Sequence, residues 1–189
     1  QNGLALKFTT LKNDRKVVLA AVAQNGLALH YSAFTNDREV VLAAVTQHGG
    51  ALHFAALQDK GVVLAAVAQN GLALEFAALQ DKGVVLAAVK QNGLALKFAS
   101  AFQNNREVVL AAMTQDIRAL YYAASASALK NDKQFVLAAT KQNFRALQFA
   151  SNALKDNKEF VLVAVAQNGL ALHFASNALK NDEEVVVAA

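Results

Sequence analysis

One stretch of sequence, roughly Glu-Val-Val-Leu-Ala-Ala-Val-x-Gln-Asn-Gly-x-Ala-Leu-x-Phe, recurs eight times along this chain. Its Gln falls at Gln1, Gln24, Gln47, Gln69, Gln91, Gln115, Gln142 and Gln167, in steps of 23, 23, 22, 22, 24, 27 and 25 residues. A period in this range belongs to solenoids and repeat arrays, whose units are too small to bury a core alone and are stable only when stacked. The expectation is an all-α solenoid of about eight stacked two-helix repeats with a period of 22–27, running as one continuous array over residues 1–189. The chain starts inside one repeat and stops inside another, so it reads as a fragment of a longer protein.

Within a repeat, Asn36 through Gln47 reads as a helix of about three turns. Asn36 and Glu39 have capping-box spacing, as do Asn104/Glu107, Asn131/Gln134, Asp156/Glu159 and Asn181/Glu184. Val41, Leu42 and Val45 form an apolar face. The Ala pair that recurs as Ala43-Ala44 sits where a neighbouring helix must come close. The second segment, such as Leu27 through Phe34, fits two patterns. Leu27, Leu29 and Tyr31 alternate as in a strand, while Leu27, Tyr31 and Phe34 follow helical spacing. Frequent Ala and few β-branched residues favour helix. A leucine-rich-repeat unit is the alternative, but its Leu-x-x-Leu-x-Leu frame is absent.

The spacings divide the repeat into a rigid and a tolerant part. From the first residue of each Val-Val pair (or Phe135 and Phe160) to the next aromatic is always 14, from Val17–Tyr31 to Phe160–Phe174. From the aromatic to the next such pair, 7 to 12 residues intervene. The junction through Gln-Asn-Gly is therefore a fixed helix–turn–helix, and insertions collect on the opposite edge. Gly3, Gly26, Gly49, Gly71, Gly93 and Gly169 fit a left-handed residue closing a helix. Ile117 and Phe144 occupy the same slot, and a β-branched Ile is an outlier at positive φ. Either the turn changes there, or Gly serves close packing.

Composition removes several chemistries. There is no Cys, hence no disulfide, thiolate metal site or catalytic thiol, and no Pro, which suits short turns between helices. Apolar runs such as Val62 to Ala68 are far below the ~18–20 residues of a membrane-spanning helix. The 18 basic and 14 acidic residues are interleaved rather than gathered into the basic face that nucleic-acid binders show. His30, His53 and His173 share one repeat position and are separated by about a helix-pair spacing of ~10 Å. Side chains that far apart cannot share a zinc ion with ~2 Å ligand bonds, so the position reads as solvent-facing. His48, in place of the usual Asn, reads as a turn variant. The Gln ladder reads as structural, each amide bonding helix-end carbonyls or the adjacent repeat's turn. Asp14, Asp37, Asp59, Asp81 and Asp132 read as helix caps. No converging oxygens form a calcium site, no carboxylates pair for catalysis, and no cofactor is expected.

The run Glu-Val-Val-Leu-Ala-Ala-Val-x-Gln-Asn-Gly-x-Ala-Leu, followed by Phe-Ala-Ser and Leu-Lys-Asn-Asp, resembles the uncharacterised repeat family known as domain of unknown function four-one-one-six. Glu107 to Leu120 and Glu159 to Ser176 are the best copies, and the resemblance covers essentially the whole chain. It implies a building block of larger proteins and brings no catalytic residues. The chain departs from the family in having no Trp after the Gly. Phe54–Leu74 and Phe76–Leu96 differ only at Ala68/Lys90, as a recent duplication would leave them.

One stretch breaks the pattern. From Gln115 to about Ala150 the Gly slot becomes Ile117 and Phe144, and the following Leu becomes Arg118 and Arg145. Tyr121 joins them, and the variable connection is longest here, with 12 residues between Tyr122 and Phe135. Aromatics and Arg are enriched at interface hot spots, so Ile117, Arg118, Tyr121, Phe144 and Arg145 are candidate partner-binding residues, against an irregular but inert repeat. The expected function is a non-enzymatic scaffold or adaptor that mediates protein–protein interaction in a larger assembly. The alternatives are an accessory arm of an enzyme or host-directed effector, with catalysis outside these residues, and a nucleic-acid-binding helical repeat. The repeated aromatics, which sit in the apolar pattern, are expected in the core, which weighs against nucleic acid.

Overall fold

The computed structural model describes residues 3–123 and 127–189. Gln1 and the middle of the 115–150 stretch, residues 124–126, lie outside the described residues. The protein is an all-α repeat solenoid, with no strand among the described residues. It divides into two compact units, residues 1–100 and 101–189.

Each repeat pairs a ten-residue α-helix with a short helical segment. The α-helices run Arg15–Gln24, Arg38–Gln47, Lys60–Gln69, Lys82–Gln91, Arg106–Gln115, Lys133–Gln142 and Lys158–Gln167. The second segment is helical, as the composition favours, but it is a 3-10 helix in most repeats, for example Gly26–Tyr31 and Gly49–Phe54. A 3-10 helix has three residues per turn, so positions i and i+3 lie on one face. The Gly-x-x-Leu spacing exploits this: Gly26 and Leu29 are buried together, as are Gly49 and Leu52. The pattern that resembled both strand and α-helix was a period of three.

The buried face of each α-helix differs slightly from the expected one. In Arg38–Gln47 it consists of Val40, Val41, Ala44 and Val45, while Leu42 is half-buried. The caps also fall one residue later than the capping-box reading placed them. Asp37, not Asn36, precedes the helix, and its carboxylate accepts from the N–H groups of Glu39 and Val40 at 3.1 Å each. Asn105, Asp132, Asn157 and Asp182 do the same work in their repeats. Glu39 thus lies at the second helical position rather than the third, out of register for a reciprocal box.

No glycine or other residue described has a positive φ. The left-handed reading of the Gly slot is therefore wrong, and close approach is the reason for Gly. A Cβ on Gly49 would sit 2.5 Å from the carbonyl oxygen of Ala66, on the next repeat's α-helix. Gly3, Gly26 and Gly71 face Ala21, Ala44 and Ala88 in the same way, so the second Ala of each pair provides the matching floor. The neighbouring Gln locks this contact. The side-chain oxygens of Gln47, Gln69 and Gln91 accept from the N–H groups of Gly26, Gly49 and Gly71 at 2.5, 2.6 and 2.5 Å. The structural reading of the Gln ladder holds at these positions.

A second interlock runs along the helix starts. The first residue of the ten-residue helices is basic, which the helix dipole opposes, but five of these residues meet the capping Asp of the next repeat. Arg15 reaches Asp37 at 2.8 Å, Arg38 reaches Asp59 at 3.0 Å and Lys60 reaches Asp81 at 2.7 Å. In the second unit Arg106 pairs with Asp132 and Lys158 with Asp182. The Arg15 guanidinium, with the Val40 N–H, pulls the Asp37 carboxyl down to about 2. The Val62 N–H and Arg38 lower Asp59, and Lys60 and the Val84 N–H lower Asp81.

The tolerant connection carries small structures of its own. Gln58 donates to the Leu52 and Ala55 carbonyls and accepts from the Ala78 N–H of the next repeat. In the second unit the longer connections form single helical turns, Asn152–Lys155 and Asn177–Lys180, capped by Ser151 and Ser176. Each turn buries one leucine, Leu154 or Leu179.

Candidate binding surface

The threefold period of the 3-10 helices sorts their six residues into three rows. The first and fourth are buried, as Gly26 and Leu29 are. The third and sixth are Ala28, buried, and Tyr31, half-exposed. The second and fifth point outward: half-exposed Leu27 beside exposed His30, Gly50 beside His53, and Leu72 beside Glu75. In the first unit the helices Gly3–Phe8, Gly26–Tyr31, Gly49–Phe54, Gly71–Phe76 and Gly93–Phe98 pack side by side in one row. Their outward residues therefore form one extended surface.

The repeated aromatics border this surface instead of filling the core. Tyr31, Phe54, Phe76 and Phe98 are all half-exposed, and Phe8 is 84% exposed. The reason is again the period of three, which puts the aromatic in register with the buried Ala at the edge of the buried face. In the first unit His30 and His53 each lean on the aromatic of the following repeat as well as on their own. The rings follow a continuous path, His30 to Tyr31 at 4.7 Å, His30 to Phe54 at 4.5 Å, His53 to Phe54 at 5.0 Å and His53 to Phe76 at 4.8 Å. At the equivalent position the Lys7 and Lys97 ammonium groups lie over the rings of their own repeats, Phe8 and Phe98, at 5.6 and 5.3 Å. The solvent-facing assignment of His30, His53 and His173 holds, since all three are exposed. Among the described residues no cluster of three or more His, Asp or Glu has metal-binding proximity.

Two local departures shape the first unit's surface. At His48 the cap is lost: Asn25 accepts from the Leu27 N–H at 3.0 Å, whereas the His48 side chain makes no cap bond. Its ring instead lies beside Gly50, where a Cβ would come 2.9 Å from His48 Cε1. The outward Leu of the other first-unit repeats is missing at Gly50, and the His48 ring occupies the space beside it.

In the second unit the candidate partner-binding residues occupy the same rows. Arg118 and Arg145 replace the outward Leu and are exposed, and Tyr121 is 64% exposed. Arg118 folds back in a two-pronged pair with Asp116, its nearest contact 2.6 Å, which holds the Asp116 carboxyl below its ordinary range. Tyr121 meets the Phe149 ring edge-on at 5.1 Å. Arg145 lies over Phe144, whose ring faces Phe174 at 6.1 Å. Thus Arg118 and Tyr121 belong to one repeat, Phe144 and Arg145 to the next, and the Tyr121–Phe149 contact joins the two.

Ile117 and Phe144 are both half-buried in the Gly slot. Neither is strained, because the slot needs no positive φ. In the first unit each α-helix sits against the 3-10 helix of the preceding repeat, but Lys158–Gln167 makes at most marginal contact with Phe144–Phe149. Gln142 also changes partner and accepts from the Thr114 hydroxyl at 3.1 Å. After Ile117 the second segment is α-helical, Ala119–Ala123, while Phe144–Phe149 stays 3-10.

The family model described as "Domain of unknown function (DUF4116)" matches residues 1–35, 37–80, 81–125, 124–155 and 157–189. The chain belongs to the DUF4116 family. The DUF4116 matches at 37–80 and 81–125 each take in about two structural repeats, and the match at 124–155 takes in one. Two stacked repeats are the smallest set in which the Gly–Ala contact and the Arg–Asp pair can form. Searches of curated proteins and of solved structures returned no match.

Proposed function

We propose that this DUF4116 array is a non-enzymatic binding module, a scaffold or adaptor whose outward 3-10 surface receives protein partners within a larger assembly. The observation that carries this reading is the division of labour within the repeat. The Asp carboxylates cap helices and pair with the preceding repeat's first helical residue, and the Gln amides join adjacent repeats. The outward rows instead present half-exposed rings, Leu, His and Arg without deep burial. Shallow, extended surfaces of this composition suit macromolecular partners better than small substrates, which prefer enclosed apolar pockets. An accessory arm serving a catalytic domain elsewhere would use the same surface.

Half-exposed aromatics also support a nucleic-acid reading, since stacking platforms of that kind serve single strands. One experiment separates the readings. The full chain is immobilised and exposed to extract of the cells that make it, with and without nuclease. The expected result is a defined protein set retained despite nuclease, and reduced several-fold by Arg118→Glu with Arg145→Glu in a normally folded variant. Retention that nuclease abolishes would overturn the protein-binding reading, and unchanged retention by the double variant would remove these residues from the interface.

A further inference from the structure

In the second unit the helix-start cations Arg106 and Lys158 are matched to carboxylates, Arg106 to Asp132 and Lys158 to Asp182 and Glu184, and Arg118 is matched to Asp116. A second group of cations has no such match. Among the described residues Lys130, Arg145 and Lys155 make no ion pair, and Asp156, next to Lys155 in sequence, is exposed and pairs with neither lysine. Lys130 and Lys155 are nonetheless half-buried, where an ammonium ion ordinarily takes a counter-charge or swings out into water. Lys155 does not swing out, since its Nζ donates to the Gln148 carbonyl at 2.6 Å. Burial and the nearby Lys130 both push its ammonium below the ordinary lysine range, and no carboxylate of the described residues acts against them.

Backbone contacts join these cations into one patch. The Ser151 N–H donates to the Lys130 carbonyl at 2.9 Å, and the Ser151 hydroxyl caps the turn that ends at Lys155. Lys155 in turn lies on Gln148, which shares a face of the 3-10 helix Phe144–Phe149 with Arg145, three residues earlier. The next residue, Phe149, is half-exposed and meets the exposed Tyr121 ring edge-on. Phe149 and Lys130 also line one small apolar cavity of about 20 Å³, together with Leu120 and Phe135. Unmatched cations and exposed rings therefore meet at one place. The patch is short, because Arg106 and Lys158, which would prolong it along the array, are engaged by carboxylates. A single-stranded nucleic acid needs a basic groove that tracks its backbone over about 4 nucleotides or more. A few carboxylates of a peptide need only this cluster.

We infer that Lys130, Arg145 and Lys155, with the Phe149 and Tyr121 rings beside them, receive a short acidic segment of a partner protein that carries a bulky apolar side chain among its carboxylates. The carboxylates supply the counter-charge that these cations lack among the described residues, and the apolar side chain packs on the exposed rings. The Lys155 ammonium is already held on Gln148, so binding has little left to order there. This inference rests on the protein-binding reading and specifies the partner's chemistry for one surface.

The test uses the full chain and three synthetic peptides, of repeated Glu-Glu-Leu, Gln-Gln-Leu and Glu-Glu-Gly triplets, by fluorescence anisotropy of the labelled peptide and by NMR of the aromatic resonances. Glu-Glu-Leu is expected to bind, to shift the Tyr121 and Phe149 resonances, and to weaken as salt is raised. Gln-Gln-Leu should bind about tenfold more weakly for want of charge, and Glu-Glu-Gly about tenfold more weakly for want of an apolar side chain. Lys130→Gln with Lys155→Gln, checked for folding by circular dichroism, should weaken Glu-Glu-Leu binding about tenfold. Lys130→Arg with Lys155→Arg keeps the charges and should bind as the parent does. No binding of Glu-Glu-Leu at millimolar concentration, equal binding of either control peptide, or full binding by the folded Gln variant would each overturn the inference. So would loss of binding in the folded Arg variant, or an oligonucleotide of equal charge that binds more tightly and shifts the same resonances. The extract experiment separates this inference from the broader reading. Proteins lost on Arg118→Glu with Arg145→Glu but retained by the Gln variant would leave the protein-binding reading standing and overturn the acidic-segment inference.

Discussion

Gly49→Ala and Gly83→Ala are the same substitution on the same chain, and the structure assigns them opposite signs. At Gly49 the added methyl would lie 2.5 Å from the Ala66 carbonyl oxygen and 3.0 Å from Gln69 Oε1. Carbon–oxygen contacts ordinarily stay beyond ~3.3 Å, so nearly 1 Å must be absorbed by moving the helix Lys60–Gln69 outward. Overpacking of this kind costs about 1–3 kcal/mol. The shift also stretches the 2.6 Å bond from the Gly49 N–H to Gln69, and an orphaned buried N–H costs another ~1–3 kcal/mol. Against this stands a gain of about 0.4–1 kcal/mol from a less flexible unfolded chain. The net expectation is a loss of about 2–4 kcal/mol. At Gly83 the nearest atoms are the tips of side chains, Asp81 Oδ1 at 3.2 Å and Lys60 Nζ at 3.9 Å, and the residue lies in the first turn of an α-helix. There the helix-propensity gain prevails, by about 0.5 kcal/mol. Equilibrium urea unfolding followed by far-ultraviolet circular dichroism gives both values from the midpoint shift at constant slope. Gly49→Asn sharpens the contrast. A left-handed turn would accept Asn better than Ala, while a close approach rejects Asn more strongly because it is larger. A neutral Gly49→Ala, or an Asn variant more stable than the Ala variant, would refute the close-approach account.

Three further outcomes follow from the same interactions. Thr140 is buried with no hydrogen-bond partner for its hydroxyl, in a slot that holds Val22, Val45, Val67, Val89 and Val165 in other repeats, so Thr140→Val should stabilise by about 1–2 kcal/mol in urea unfolding. His48→Asn restores the missing cap over Gly50 and should add about 1 kcal/mol by the same assay. Asp37 is held at about 2 in the folded protein, below the ~3.9 of an unfolded Asp. Its contribution is therefore complete above the unfolded value and is lost as pH falls from about 5 through about 2. Thermal midpoints measured across that range should fall for the parent protein and fall less for Asp37→Asn. Equal slopes would show that the Arg15–Asp37 pair does not contribute.

The repeat, its helical class and the fixed junction were legible because each leaves a one-dimensional trace. Apolar spacing marks the α-helix, and the constant distance from Val-Val to the aromatic marks the rigid part. The period of the second segment was harder to recognise. Six residues hold only two 3-10 turns, and Leu27, Leu29 and Tyr31 satisfy strand and helix templates at once. That ambiguity propagated, because placing Tyr31 and its equivalents in the core depended on an α-helical face. Gly-x-x-Leu, repeated without exception where Gly is present, was the available signal for three residues per turn. The Arg–Asp ladder left a trace too, a basic residue directly after the Asp or Asn that caps each ten-residue helix, but its partner is a full repeat away in sequence. The role of Gly was undecidable from sequence, since positive φ and close approach both exclude a Cβ and only the Ala carbonyl opposite tells them apart.

The same geometry explains where the sequence is free to vary. Gly, Gln and Asp recur because each must match an atom of an adjacent repeat, so a change in one copy has to be tolerated by its neighbour. The residue before each aromatic fits no single atom of a neighbouring repeat and accepts varied side chains. It is Lys7, His30, His53, Glu75, Lys97, Tyr121, Gln148 or His173, and it is exposed in every copy. At Arg118 and Arg145 the outward Leu changes in the very repeats where Ile117 and Phe144 replace the interlocking Gly. Without Gly in the slot, the close approach to the next repeat's Ala carbonyl that fixes the other copies no longer constrains the sequence there. Variation concentrated on exposed rows over an unvarying frame is the pattern expected of a binding array, in which stacking supplies stability and the outward side chains determine the partner.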